Sequence, residues 1–345
     1  MRPYLLVAAV IIGATTALVG CSTLQRAVEI QSDLDGLTRS GVVGSIATLD
    51  DGTTTAVMTS GVPNRTNGDS IGKNDRVRIG SVTKTFTASL VLQLVAEGKV
   101  DLDAPIERYL PGLLHSDMDG SGIDGSAITV RQLLQHRSGL PEFAGEPGAD
   151  EWIAANENRT LTPSAAVAIA LGKPAQFVPG TSFVYTNTNY IVLGMLVESV
   201  SGRSYADELR SRILDPLDLE DTYLPPAGEL DIRGDHLTGY QDLDGGLTDV
   251  SRTEPSIPWA AGAMVSTGTD LNTFWRALLD GQVVPAEQLA EMTTPQVAAT
   301  EARDSGTGWA SAPPNFPAAS PIPATVVGST GTTHCPARRR TARSL

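Results

Sequence analysis

Residues 78–86 read RIGSVTKTF, and what they form decides how the rest of the chain is read. Just before Ser81, "DRVRIG" alternates polar with apolar residues and ends in Gly80, as a short strand does. Beyond it, Phe86, Leu90 and Leu94 recur at helical spacing among alanines and valines until Gly98 stops the run. This helix is apolar round most of its circumference, which places it in a core. Ser81 then stands where strand becomes helix, and Lys84 follows one turn later on the same face. A lysine desolvated beside a hydroxyl loses basicity and can accept the serine's proton, so the pair is a candidate nucleophile and base. The residues also allow Ser81 a plainer use, as a hydroxyl capping the helix.

The same spacing occurs at Ser70-Ile-Gly-Lys73, inside "NGDSIGKND". Gly, Asn and Asp make that stretch a turn, so context and not spacing separates the two copies.

At 345 residues the chain can build one large or two ordinary domains, and its net charge of −14 argues against a nucleic-acid partner. The first twenty residues combine one basic residue, a long apolar stretch and a small-residue end, the pattern of an export signal. Leu18-Val19-Gly20-Cys21 resembles the lipobox of bacterial lipoproteins. The expectation is a signal peptide over 1–20, a lipid on the Cys21 thiol, and a protein held at the outer face of the cell membrane, or secreted if the anchor is not used. An uncleaved membrane anchor is the alternative, since the apolar run approaches spanning length. Cys335 is the other cysteine, and lipidation of Cys21 leaves it no partner within the chain.

"STLQRAVEIQSDLDGLTRSG" reads as a tether, 21–32, running into a first helix. "VVGSIATLDDG", "TTAVMTSG" and "DRVRIG" read as antiparallel strands. From Ser81 to about Pro225 helices dominate, among them "TVRQLLQHRSG" with a capping box at Thr129 and Gln132 and a stop at Gly139. "WAAGAMVSTGTDLNTFWRALLDG" brings back a strand-like run and another helix. Strands at both ends suggest a discontinuous sheet domain, 33–100 with 237–333, interrupted by a helical domain over 101–236. From Ser305 onward acidic residues vanish, prolines crowd 313–321, and arginines gather in 334–345. That composition reads as a disordered basic tail, with the look of a reading-frame change or a degenerate end.

Tyr185-Thr-Asn187 lies in a polar loop before an apolar helix, and alone it fits a buried tyrosine. With Ser81-x-x-Lys84 it resembles the penicillin-recognising serine hydrolases: actinobacterial D-alanyl-D-alanine carboxypeptidases and class C β-lactamases. The resemblance runs from about Ala27 to Gly308 and includes "RVRIGSVTKTFTASLVLQLVAEGKVDLDAPIERYLPGLL", "ITVRQLLQHRSGL", "VYTNTNYIVLGMLVESVSG" and "PWAAGAMVSTGTDLNTFWRALLDGQ". A class A enzyme would carry Ser-Asp-Asn in place of Tyr-x-Asn. The implied fold is α+β and β-lactamase/transpeptidase-like, an antiparallel sheet flanked by helices with an inserted all-helical domain, its last strands and helix missing.

The resemblance implies that Ser81 attacks a carbonyl and forms an acyl-enzyme, with Lys84 as proton acceptor. Tyr185 then passes a proton to the leaving amine, and Asn187 holds Lys84 and the substrate amide. One oxyanion donor is the Ser81 backbone N–H. Trp259 falls where relatives line the cleft with an aromatic ring, although core packing accounts for it nearly as well. His136 matches a structural position, and no spacing of histidines or cysteines suggests a metal or other cofactor. The third family motif, expected to bind the substrate carboxylate, is represented by Ser329-Thr330-Gly331-Thr332, with serine in place of a basic or imidazole residue. The implied activity is that of an exported, monomeric D,D-carboxypeptidase acting on peptidoglycan stem peptides, weakened by the aberrant end. A β-lactamase, an esterase and an inactive penicillin-binding protein are the other readings.

Overall fold

The computed structural model describes residues 7–66, 68–115, 122–145, 149–243, 246–294 and 324–328. At its sheet end β1 (Gly44–Asp50) and β2 (Thr55–Gly61) form a hairpin, with Gly44 opposite Gly61 and Asp50 opposite Thr55. The far edge of β1 pairs antiparallel with β7 (Ala324–Gly328), so the middle strand carries early and late segments of the chain at once. That position buries β1 on both faces. Ile46 belongs to the main core, whereas Ala47 and Leu49 turn the other way onto α1 (Val7–Arg39). Helix α1 reaches the sheet through Leu34, with Ala27 and Ile30 beside it. The stretch 21–32, read as a tether, is thus helical and contributes Ala27 and Ile30 to this packing.

A second, two-stranded ladder joins β3 (Val77–Arg78) to β6 (Val265–Ser266). From its end the chain enters α2 (Thr83–Ala96), the helix at the centre of the molecule. Phe86, Leu90, Leu92 and Leu94 are fully buried, and Phe86 stacks on Phe274 of α9 (Gly268–Leu279) at 3.8 Å. Four such side chains contribute about 6–12 kcal/mol of gross burial, enough to carry a buried amine whose desolvation costs several kcal/mol. Against α2 pack α6 (Asn187–Ser201) and α7 (Tyr205–Leu209), while α3 (Val130–Leu134) and α5 (Pro163–Leu171) pack on α6, and α4 (Ala149–Asn156) lies between α3 and α5 in the chain. A hairpin of β4 (Tyr240–Leu243) and β5 (Gly246–Asp249), the single turn α8 (Trp259–Gly262) and α10 (Ala286–Thr293) complete the described strands and α-helices. The expected α+β arrangement, helix-rich with small antiparallel sheets, is present.

Three local expectations need correction. Ser81 caps nothing: it lies in a 3-10 turn, Gly80–Val82, and α2 begins after Val82 without a side-chain cap. Helix α3 has the expected capping box but ends at Leu134, where His136 rather than Gly139 takes the first left-handed conformation (φ 55°). The run WAAGAMVS contains a helical turn before a strand of two residues, because hydrogen bonds from α2, described below, hold its carbonyls. The substrate-binding expectation at Ser329, Thr330, Gly331 and Thr332, the tail 334–345 and the missing C-terminal elements lie outside the described residues.

Candidate active site

Gly80 takes a positive φ of 50°, which lets β3 turn sharply into α2 and leaves Ser81 exposed at the turn. Lys84, one turn on, is only 3% exposed. Its Nζ lies 3.1 Å from Ser81 Oγ, 2.8 Å from Asn187 Oδ1 and 2.6 Å from the Ala261 carbonyl oxygen. The serine hydroxyl is therefore open to solvent while the lysine is not.

Burial holds the Lys84 amine down at about 7, and the nearby Glu142 carboxylate acts in the opposite sense. Near neutral pH a large share of Lys84 is the free amine. The hydrogen inventory then fixes its orientation. Asn187 Oδ1 and the Ala261 carbonyl can only accept, so they take the amine's two hydrogens and leave its lone pair for the Ser81 hydroxyl.

Tyr185 sits across the same oxygen, its hydroxyl 2.6 Å from Ser81 Oγ. Burial raises this phenol above the usual tyrosine range, with Ser81 pulling it back somewhat and Glu142 adding to the rise. It stays protonated where Lys84 does not, so of the two Lys84 is the group able to accept a proton from Ser81. With Ser81 donating to Lys84, Tyr185 donates to Ser81.

His136 keeps Tyr185 in place. Its carbonyl accepts the Val184 N–H at 3.1 Å, its Nδ1 accepts the Thr186 N–H at 3.3 Å, and its ring lies 4.4 Å from the Tyr185 ring. His136 is thus bonded to the residues on both sides of the tyrosine, by its carbonyl at Val184 and by its ring at Thr186. Burial, then the Lys84 charge, lowers it to about 3, so it is neutral and takes no proton from Ser81. The structural role expected for it fits this geometry.

Asn187 opens α6 behind the Thr186 N-cap, and its own N–H is accepted by Glu142 Oε2 at 2.7 Å. Ser81, Lys84, Tyr185 and Asn187, separated by up to 106 positions in sequence, therefore meet at one point. Trp259 adjoins them through its backbone turn, and its ring is half-buried. Its indole packs over Gly194 and lies 5.3 Å from the Tyr205 ring.

Sequence reasoning missed three contributors. The Ala261 carbonyl carries no side-chain signal, Glu142 sits in an ordinary loop, and Tyr190 is one of many apolar-face residues of α6, its ring 5.5 Å from Lys84 Nζ. Among the described residues no cluster of histidine, cysteine and carboxylate side chains could hold a metal.

Known proteins resemble this chain over most of its length. The Beta-lactamase family model matches residues 30–340. Penicillin-binding protein 4 of Amycolatopsis lactamdurans is 32% identical over 232 residues, which are 66% of this chain and 57% of that relative. The chain thus spans little more than half of it. Among solved structures, a D-stereospecific amidohydrolase from Streptomyces sp. superposes with a TM-score of 0.71 at 39% identity, covering 78% of each chain. The D-amino acid amidase of Ochrobactrum anthropi SV3, complexed with L-phenylalanine amide, gives 0.67 at 33% identity, covering 79% of this chain and 75% of its own.

Proposed function

The chain belongs to the Beta-lactamase family of serine hydrolases, and from that premise we propose that Ser81 is acylated by a substrate amide or ester, with Lys84 as the base. The observation that carries this is the buried Lys84 amine, 3.1 Å from an exposed serine hydroxyl and held by two acceptors that aim its lone pair there. Lys84 takes the Ser81 proton as the Oγ–carbon bond forms. The tetrahedral oxyanion faces the Ser81 N–H at the turn into α2. The leaving nitrogen takes its proton from Tyr185, and water then hydrolyses the ester with the roles reversed.

The finer reading is a D-alanyl-D-alanine carboxypeptidase acting on peptidoglycan stem peptides, exported and lipid-anchored through Cys21. Likeness to a penicillin-binding protein supports the first half, and the lipobox-like end of the leader supports the second. A second reading, an amidase for D-amino acid amides, is favoured by 39% identity to a D-stereospecific amidohydrolase and 33% identity to a D-amino acid amidase.

Three probes tell these apart: an acylated D-alanyl-D-alanine peptide, D-phenylalanine amide and a chromogenic β-lactam. Release of D-alanine that disappears in Ser81→Ala is the expected result. Ammonia release from the amide without D-alanine release would select the amidase. No turnover and no covalent adduct from any of the three would overturn acyl transfer at Ser81.

A further inference from the structure

The Ala261 carbonyl that accepts from Lys84 belongs to α8, a single turn of four residues. Such a turn does not stand by itself. It begins at Trp259, whose φ of 32° is a left-handed value that bulky residues rarely adopt. Something must hold it, and α2 supplies the grip.

Thr87 lies three residues beyond Lys84, on the same face of α2. Its Oγ1 donates to the Ala260 carbonyl at 2.7 Å and lies 2.7 Å from the Tyr205 hydroxyl. The direction of this relay follows by elimination. Thr87 has one hydroxyl hydrogen and two carbonyls within reach, Ala260 at 2.7 Å and Thr83 at 3.4 Å. The shorter contact takes the hydrogen, and since a carbonyl can only accept, Tyr205 must donate to Thr87. Burial keeps Tyr205 protonated by raising it far above the usual tyrosine range. Thr87 and Tyr205 are both fully buried, so no water substitutes for either bond. Two successive carbonyls of α8 are thus read by two residues on one face of α2, Ala261 by Lys84 and Ala260 by Thr87. The Tyr205 ring also packs against the Trp259 indole, steadying the residue with the unusual backbone.

We propose that Thr87, supported by Tyr205, is a positioning residue: it fixes the Ala261 carbonyl against Lys84 Nζ and so keeps the amine's lone pair on Ser81. The proposal rests on Ser81 acyl transfer for its catalytic meaning, but its physical core concerns Lys84 alone. When α8 is held, the two acceptors occupy both hydrogens of the neutral amine. When α8 is released, the amine can rotate its lone pair away from Ser81, and the ammonium form loses an acceptor. The first change slows acylation. The second moves the Lys84 titration to lower pH, because the charged form is what the lost bond stabilised. The other groups facing Lys84 are Tyr185, Tyr190, His136 and Glu142, and the Thr87 hydroxyl bonds to none of them.

The test uses the full chain with Thr87→Val, which keeps the shape and removes the hydroxyl, and Thr87→Ser, which restores it. Two quantities are read: the Lys84 titration, from its side-chain carbon-13 shift, and the rate of β-lactam acylation per folded molecule. Thr87→Val is expected to lower the Lys84 midpoint by about half a unit or more and acylation by about ten- to a hundredfold. Thr87→Ser should recover both to within about threefold. Tyr205→Phe should move both the same way by less, and it serves if Thr87→Val does not fold. An unchanged midpoint in the folded variants, or a Thr87→Ser as impaired as Thr87→Val, would overturn the proposal. Failure of the wild type to acylate would instead overturn the reading of Ser81, while the Lys84 midpoint would still decide this one.

Discussion

Ser70 and Lys73 lie in the loop between β2 and β3, and both side chains are exposed. Between them Ile71 turns into the core, and Gly72 donates to the Asp75 carboxylate, so the segment is spent on making a turn. Ser81 and Lys84 have the same spacing, but there only the serine is exposed and the lysine is sealed beneath it. Identical residue types give different chemistry because one lysine is solvated and the other is not. What converts the second pair is a buried helix, a left-handed glycine before the serine, and two fixed acceptors for the amine. The motif supplies the atoms; burial supplies the reactivity.

The largest expected contrast is between the two lysines. Lys84→Met should slow acylation by about a thousandfold, the scale of a lost general base, whereas Lys73→Met should leave it within about twofold. Stopped-flow acylation with a reporter β-lactam measures both, and a comparable loss at Lys73 would break the distinction. Tyr185→Phe comes next, with a loss of about a hundredfold and little change in melting temperature. Its ring is held by His136 and not by its hydroxyl, so a large drop in melting temperature would contradict that account.

The pH profile sharpens the contrast. Only neutral Lys84 accepts a proton, so acylation should reach half its plateau near pH 7 and fall about tenfold per unit below it. His136, already neutral above about 3, adds no step in that window. A flat rate from pH 5 to 8 would remove Lys84 as the base. The smallest effect belongs to Glu142→Gln. The glutamine oxygen can still accept the Asn187 N–H, but the charge that raises Lys84 is gone. The midpoint should therefore drop by a fraction of a unit, and the rate at pH 6 should rise. A midpoint that moved upward would show the sign to be wrong.

How much of this was legible in the sequence follows from where the signals reside. Ser81 and Lys84 could be read from the residues because α2 advertises itself through apolar spacing and carries Lys84 in its first turn, whereas Tyr185 and Asn187, at the start of α6, took their roles from the family resemblance. The α8 turn could not be read. "WAAGAM" is a run of small apolar residues whose conformation is imposed by bonds from Lys84 and Thr87 to its carbonyls, and backbone acceptors leave no trace in residue identity. His136 was recognisable as structural, yet its left-handed backbone was not, since glycine at 139 was the stronger helix-stop signal. Glu142 was invisible for a different reason. A lone acid in a loop acquires meaning only when the fold brings it to Asn187.

The most direct test of the account is where an acyl group lands. The full chain is labelled with a β-lactam at pH 8, digested, and the adduct peptide is mapped by mass spectrometry, with Ser81→Ala and Ser70→Ala run alongside. A single adduct on Ser81, lost in Ser81→Ala and unchanged in Ser70→Ala, is the expected result. An adduct on Ser70, or labelling that survives Ser81→Ala, would contradict it.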